Sequence, residues 1–187
     1  MQRLEAEATM DEIAINPDLD ELLNRKLDQR KFIAWRDGKT GWPFFDACMR
    51  YLSATGWINF RMRAMLQSVA SYTLWLPWQA TGSHLANLFM DYEPGIHWSQ
   101  VQMQSGVTGI NSVRAYSVSK QSTDHDPNGD FIRLWVPELA AVPTEHIHEP
   151  WLMSKAEQEQ YNCQIDLDYP APVSYTHLRA HETEADL

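Results

Sequence analysis

Arg61 and Arg63 stand in the run GWINFRMRAMLQSVASY, residues 56–72, where most other side chains are large and apolar. A guanidinium in such a setting needs an anion to meet it, because an unpaired charge is expensive to remove from water. The two arginines therefore point either to a buried ion pair tying helices together or to an anionic ligand. Asp46 and Arg50 are four residues apart, a spacing that lets them pair on one side of a helix. The segment TEHIHEPW gathers Glu145, His146, His148 and Glu149, which are metal-ligand types, yet HxH alone is a loose signal and no zinc site is expected. Cys48 and Cys163 lie far apart with no CxxC spacing, so both read as plain thiols. Neither a glycine-rich nucleotide loop nor a GxSxG elbow is present.

The elements that must position these groups read as helices. The 187 residues are 44% hydrophobic and include eight Trp and eight Met, enough for one real core. In TGWPFFDACMRYLSATG, Pro43 suits a first helical turn and Gly56 a stop, and Phe45, Met49 and Leu52 share a face. The spacing predicts a helix near 43–55. A second, near 59–75, takes Asn59 as its cap and runs through Met62, Met65, Leu66, Val69 and Ala70. A third, near 83–91, takes Ser83 as cap, carries Leu85, Leu88 and Phe89, and stops at Pro94-Gly95. DHDPNGDF reads as a turn, and FIRLWVPEL after it ends at Pro137. The acidic run EAEATMDEIAINPDLDE reads as a solvated helix and linker. There is no strand alternation long enough for a sheet and no internal repeat, so the expected class is all-α. No apolar run approaches the roughly 18 to 20 residues of a membrane span, and the charged start is unlike a secretory signal. A cytoplasmic setting is expected. The formal charge of −10 argues against holding nucleic acid by counterion release alone, so DNA would need a local patch.

Several separate stretches agree with one family in order and spacing: WRDGKTGWPFFDACMRYLSATGWINFRMRAML, LPWQ, LFMDYE, DPNGDFIRLWVPEL and IHEPW. From about Trp35 to Trp151 the chain resembles the C-terminal FAD-binding half of the photolyase and cryptochrome flavoproteins. The resemblance implies a multi-helical domain that holds FAD in a bent shape, with a separate α/β domain for an antenna pigment. That domain and the early helices of the flavin domain have no counterpart here, so the chain reads as a fragment, expected to be inactive alone. Residues 1–34 read as a truncated lead-in, 35–152 as the flavin-binding core and 153–172 as a C-terminal extension. VSYTHLRAHET, residues 173–183, resembles the translated read-through of a sequencing adapter. Residues 173–187 are accordingly expected to pack against nothing, and His177 and His181 carry no weight.

The resemblance also assigns residues. Arg63 falls on the family's flavin-facing arginine and Asp91 on its aspartate partner, a pair that lies against the isoalloxazine ring and tunes its charge. Tyr92 and Glu93 continue the flavin-contacting stretch, Glu93 being one methylene longer than the family's aspartate. His97 falls where repair enzymes carry Asn and plant cryptochromes Asp, facing the reactive ring nitrogen. A backbone-satisfied histidine in a helix turn is the competing account. Arg61 matches a DNA-facing arginine, but Phe60, Ala64 and Met103 replace three lesion-contacting residues. Trp78 matches the middle member of an electron-carrying tryptophan chain, whose flavin-proximal member aligns with Val101 and whose outer member aligns near Arg25. Trp57, Trp75 and Trp98 offer another route or serve as core. The expectation is an FAD-binding module of a cryptochrome-like blue-light or redox flavoprotein. The alternative is a photolyase that repairs pyrimidine lesions in DNA.

Overall fold

The computed structural model describes residues 9–110 and 115–174. The chain forms two compact units, Met1–Phe32 with Leu52–Tyr116 and Ile33–Tyr51 with Ser117–Leu187. The described residues are helical: α1 (Pro17–Leu23), α2 (Gln29–Arg36), α3 (Pro43–Thr55), α4 (Phe60–Ser68), α5 (Trp78–Leu88), α6 (Pro94–Ser105), α7 (Val118–His125), α8 (Asp130–Trp135), α9 (Thr144–Ile147) and α10 (Lys155–Gln160). Among them an isolated bridge, Ile165 to Tyr169, is the nearest approach to a strand. The all-α expectation holds. No described helix is long and apolar enough to cross a membrane.

In the first unit α4 begins as its sequence requires, with Asn59 Oδ1 accepting the Met62 N–H at 3.1 Å. It widens without a break into a π turn over Val69–Thr73. Met62, Met65, Leu66, Val69 and Ala70 are all buried. The third expected helix is displaced. α5 starts at Trp78, immediately after Pro77, so Ser83 lies inside the helix and is no cap. Pro94 does not end a helix but opens one: it is the first residue of α6, whose cap is Glu93 and whose stop is Gly106 at φ 74°. A proline that stops one helix and a proline that starts the next look alike in sequence, and here the short loop after Leu88 separates the two.

Close approach of α5 and α6 rests on Gly82. A Cβ there would fall 2.5 Å from Trp98 Cζ3 and 2.9 Å from Val101 Cγ1. Trp78, Trp98, Val101 and Val107 form a core with Met10 and Ala14. The acidic N-terminal run is therefore not simply solvated. Gln102 clamps it to α6, donating to the Met10 carbonyl at 2.7 Å and the Ile13 carbonyl at 3.1 Å and accepting the Ile15 N–H at 2.6 Å.

In the second unit Asp46 and Arg50 do not hydrogen-bond to each other. A helical side chain leans toward its own N-terminus, so Asp46, in the first turn of α3, meets Thr40 N (2.9 Å), Thr40 Oγ1 (2.6 Å), Gly41 N (3.1 Å) and the Tyr169 hydroxyl (2.5 Å). Arg50 instead forks onto Glu138, at 2.8 and 3.0 Å, and donates to the Gly38 carbonyl. The DHDPNGDF turn is as read: Asp126 caps α8 by accepting the Phe131 and Ile132 N–H groups, and Gly129 takes φ 74°. His146 and His148 turn to different partners, His146 to Glu157 at 3.3 Å and His148 Nδ1 to Ser122 Oγ at 2.6 Å. Val173, expected to pack against nothing, is partly buried and donates its N–H to the Thr40 carbonyl at 2.9 Å. The rest of the adapter-like stretch, from residue 175, lies outside the described residues.

Candidate functional site

The first unit carries a cleft of about 170 Å³ between α4, the loop after α5, and α6. Arg63 forms part of its wall, and the anion that meets it is Asp91, with Nη2 to Oδ2 at 2.9 Å. Nε donates to the Ile58 carbonyl at 2.7 Å, and the guanidinium lies over the Phe89 ring with Cζ 4.3 Å from the centroid. Nε and Nη2 are thus engaged, and Nη1 makes no hydrogen bond to a described residue. The pair is not sealed: the Asp91 side chain is 51% exposed and that of Arg63 25%. The hydrogen bond from Arg63 holds the Asp91 carboxyl below the usual carboxylate range.

The next residues are set by the start of α6. Glu93 turns its carboxylate onto the Ile96 N–H at 2.8 Å, capping the helix. Tyr92 accepts the Trp98 indole N–H on its hydroxyl at 3.1 Å. One turn into the helix, His97 is buried with Nε2 2.8 Å from the Gly82 carbonyl. A carbonyl only accepts, so Nε2 carries the hydrogen and Nδ1 of the neutral ring is the free lone pair. Burial lowers the His97 pKa below the ordinary histidine value, and the charge of Arg63 adds to the effect. Phe89, Tyr92 and Trp98 surround its ring at 5.8, 5.3 and 5.0 Å between centroids.

Five of the seven residues singled out in the sequence, Arg63, Asp91, Tyr92, Glu93 and His97, line this one cleft. Arg61 does not; it is exposed on the first turn of α4. Trp78 lies behind the wall, fully buried, edge-on to Trp98 at 6.1 Å, with its indole N–H 3.2 Å from Asp20 Oδ1. Phe60 and Ala64 line the cleft and Met103 does not. Gln67, Gln100 and Gln104 also line it and were not singled out. Gln67 had a legible signal, since it follows Arg63 by four residues on the same helix and interrupts an apolar stripe.

A family model described as the FAD binding domain of DNA photolyase matches residues 1–186. The chain belongs to that family. Among relatives of this FAD binding domain, a cryptochrome DASH from Synechocystis sp. is 35% identical over 156 residues, covering 81% of this chain and 32% of the relative. A deoxyribodipyrimidine photo-lyase from Alkalihalophilus pseudofirmus is 36% identical over 153 residues, covering 81% and 32%. The chain thus spans about a third of the length of these relatives. Among solved structures, the cryptochrome of Synechocystis sp. PCC6803 superposes with a TM-score of 0.79 at 32% identity, over 86% of this chain and 34% of that one. A class III photolyase from Agrobacterium tumefaciens gives 0.84 at 26% identity, over 97% and 39%.

The residues of this photolyase-type domain suit a flavin. A planar ring with polar edges needs apolar walls, supplied by Ala64, Leu85, Phe89 and Val101, and a cation whose donors are not exhausted, supplied by Arg63. FAD would be held by Arg63, Asp91, Tyr92, Glu93 and His97.

Proposed function

We propose that this chain supplies one wall of the FAD site in a cryptochrome-like flavoprotein that responds to blue light or moves electrons without repairing DNA. The observation that carries the reading is the posture of Arg63: supported from below by Phe89, held by Asp91 and the Ile58 carbonyl, with a donor left over at the cleft. When bound, FAD supplies light absorption and electron transfer. The chain's own residues do the rest. Arg63 fixes the ring and offsets negative charge on it, Asp91 keeps the guanidinium aligned, and the neutral His97 presents a lone pair without adding a second cation. Trp98 and Trp78, in edge contact behind Tyr92, are the aromatic groups nearest to forming a route inward, in place of a tryptophan at Val101.

DNA is a partner only of the longer protein, through Arg61, and the antenna pigment belongs to a domain outside this chain. The setting is cytoplasmic, consistent with two free, buried cysteines. Both cryptochromes and a photo-lyase occur among the relatives at similar identity, so Phe60, Ala64 and Met103 weigh against repair. The first test is direct: titrate the chain with FAD and follow quenching of flavin fluorescence. Saturable binding that Arg63→Ala weakens is expected. Binding indifferent to Arg63→Ala would reject the site.

A further inference from the structure

The face of α4 that carries Arg63 carries a second polar group whose bonding is incomplete. Gln67 lies one turn on, about 6 Å along the axis. It is 2% exposed and lines the cleft. Its Nε2 is within hydrogen-bond distance of Ser71 Oγ at 3.1 Å, Thr81 Oγ1 at 2.9 Å and Ser105 Oγ at 3.0 Å. The protons of those hydroxyls are committed elsewhere. Ser105 donates to the Val101 carbonyl at 2.7 Å, Ser71 donates to Ser105 at 2.8 Å, and Thr81 donates to the Pro77 and Trp78 carbonyls at 3.3 Å. All three oxygens therefore offer lone pairs, and only the nitrogen end of the amide can face them. The amide is locked, and its Oε1 points away from the cluster, buried, with no partner among the described residues.

Gln100, on α6, also lines the cleft and also buries an Oε1 with no partner among the described residues. Buried carbonyl groups are seldom left bare. Two of them, on two different helices that both line one cleft, make an acceptor subsite. The carboxylates of the cleft are already engaged, Asp91 with Arg63 and Glu93 with the α6 N-terminus. The bare acceptors are neutral amides, suited to a neutral N–H.

We infer that Gln67 and Gln100 are specificity-determining residues that hold the reduced form of the flavin ring more tightly than the oxidised form. The inference rests on the flavin reading above. The oxidised isoalloxazine ring carries a single N–H. Its two-electron reduction, with both electrons from an external reductant such as dithionite and protons from water, turns one ring nitrogen from a lone pair into an N–H donor in the anionic hydroquinone, which takes up one proton, and a second in the neutral hydroquinone, which takes up two. Bare acceptors therefore gain partners on reduction, and an acceptor facing a lone pair becomes an acceptor facing a proton.

The test measures dissociation constants of the chain for FAD and, without air, for dithionite-reduced FAD, and repeats both on Gln67→Met and Gln100→Met. Wild type is expected to bind reduced FAD about ten-fold more tightly than FAD. Each substitution should weaken reduced FAD about ten-fold and change FAD less than two-fold, which lowers the midpoint potential of the bound two-electron couple by about 30 mV. Gln67→Met strips the hydroxyl cluster of its amide donor, so Gln100→Met, which leaves that cluster intact, carries the test if the first variant melts early. Equal loss for both redox forms, unchanged affinities in both variants, or equal wild-type affinities would overturn the subsite and leave the flavin reading standing. Failure to bind FAD in either form would overturn both.

Discussion

Arg63 has a partner that decides how much it matters to the fold and how much to a ligand. Asp91 is half exposed, so the pair is not the sealed one that a run of apolar neighbours suggested. Arg63→Ala is expected to cost the free chain only about 1 kcal/mol, measured by urea unfolding, while weakening FAD by at least about ten-fold in the fluorescence titration. A loss of stability several times larger, with flavin affinity retained, would make it a structural pair. Two buried titratable groups give the units opposite responses to acid. His97 resists protonation, so below about pH 6.5 the unfolded chain takes up a proton that the folded one refuses, and the first unit loses stability as pH falls. Asp46 is pushed up to about 6 by burial, against the hydrogen bonds from Thr40 and Tyr169. Its folded form therefore binds a proton that the unfolded form has released, and the second unit gains stability as pH falls from about 6 toward 3.8. Melting at pH 7 and pH 5 should show His97→Gln less acid-sensitive than wild type and Asp46→Asn more so. Parallel pH profiles for all three would contradict both assignments.

Among the elements, α3 and α4 were legible because each carries a local start signal and a regular apolar stripe that agree with its packing. Pro43 opens α3, and Asn59 caps α4 with the bond its position suggests. α5 and α6 were not legible for a physical reason. Ser83 is as good a cap in isolation as any, but Trp78, Thr81 and Gly82, which precede it, are wanted by the core. The start of α6 is capped by a glutamate, a weaker signal than Ser or Asn. The same gap hid part of the site. Arg63, Asp91, Tyr92, Glu93 and His97 could be placed by resemblance, and Gln67 by its place on the Arg63 face of α4, whereas the burial of Gln67 and Gln100 Oε1 with no partner among the described residues shows only in three dimensions. Where α5 meets α6, Gly82→Ala sets two effects against each other. Alanine favours the helix by about 1 kcal/mol, but its Cβ would collide with Trp98, whose ring is held by Tyr92 on one side and Trp78 on the other. Overpacking of about 1–3 kcal/mol is expected to win, giving a net loss in urea unfolding. A variant as stable as wild type would mean that Trp98 is free to move.

At the scale of the molecule, the question is whether the domain serves a protein that repairs DNA. Relatives of both kinds match it at 35% and 36% identity, so likeness does not choose between them, and the chemistry around the cleft must. A repair site has to attract a phosphate backbone and then grip a base turned out of its stack. The net charge of −10 opposes the first requirement, with Arg61 an exposed cation on the first turn of α4. Phe60, 62% exposed on the rim, and the small, buried Ala64 bear on the second: neither side chain can hydrogen-bond to a base edge. The expected outcome is that the flavin-loaded protein, reduced and illuminated with thymine-dimer DNA, single- or double-stranded, restores no thymine absorbance. Retention of the same DNA should be weak, fall with salt, and fall further in Arg61→Ala. Turnover on either substrate that Arg61→Ala abolishes would reverse the conclusion, because it would show that one arginine beside an apolar rim suffices to seat a lesion, and the photolyase reading would then take first place.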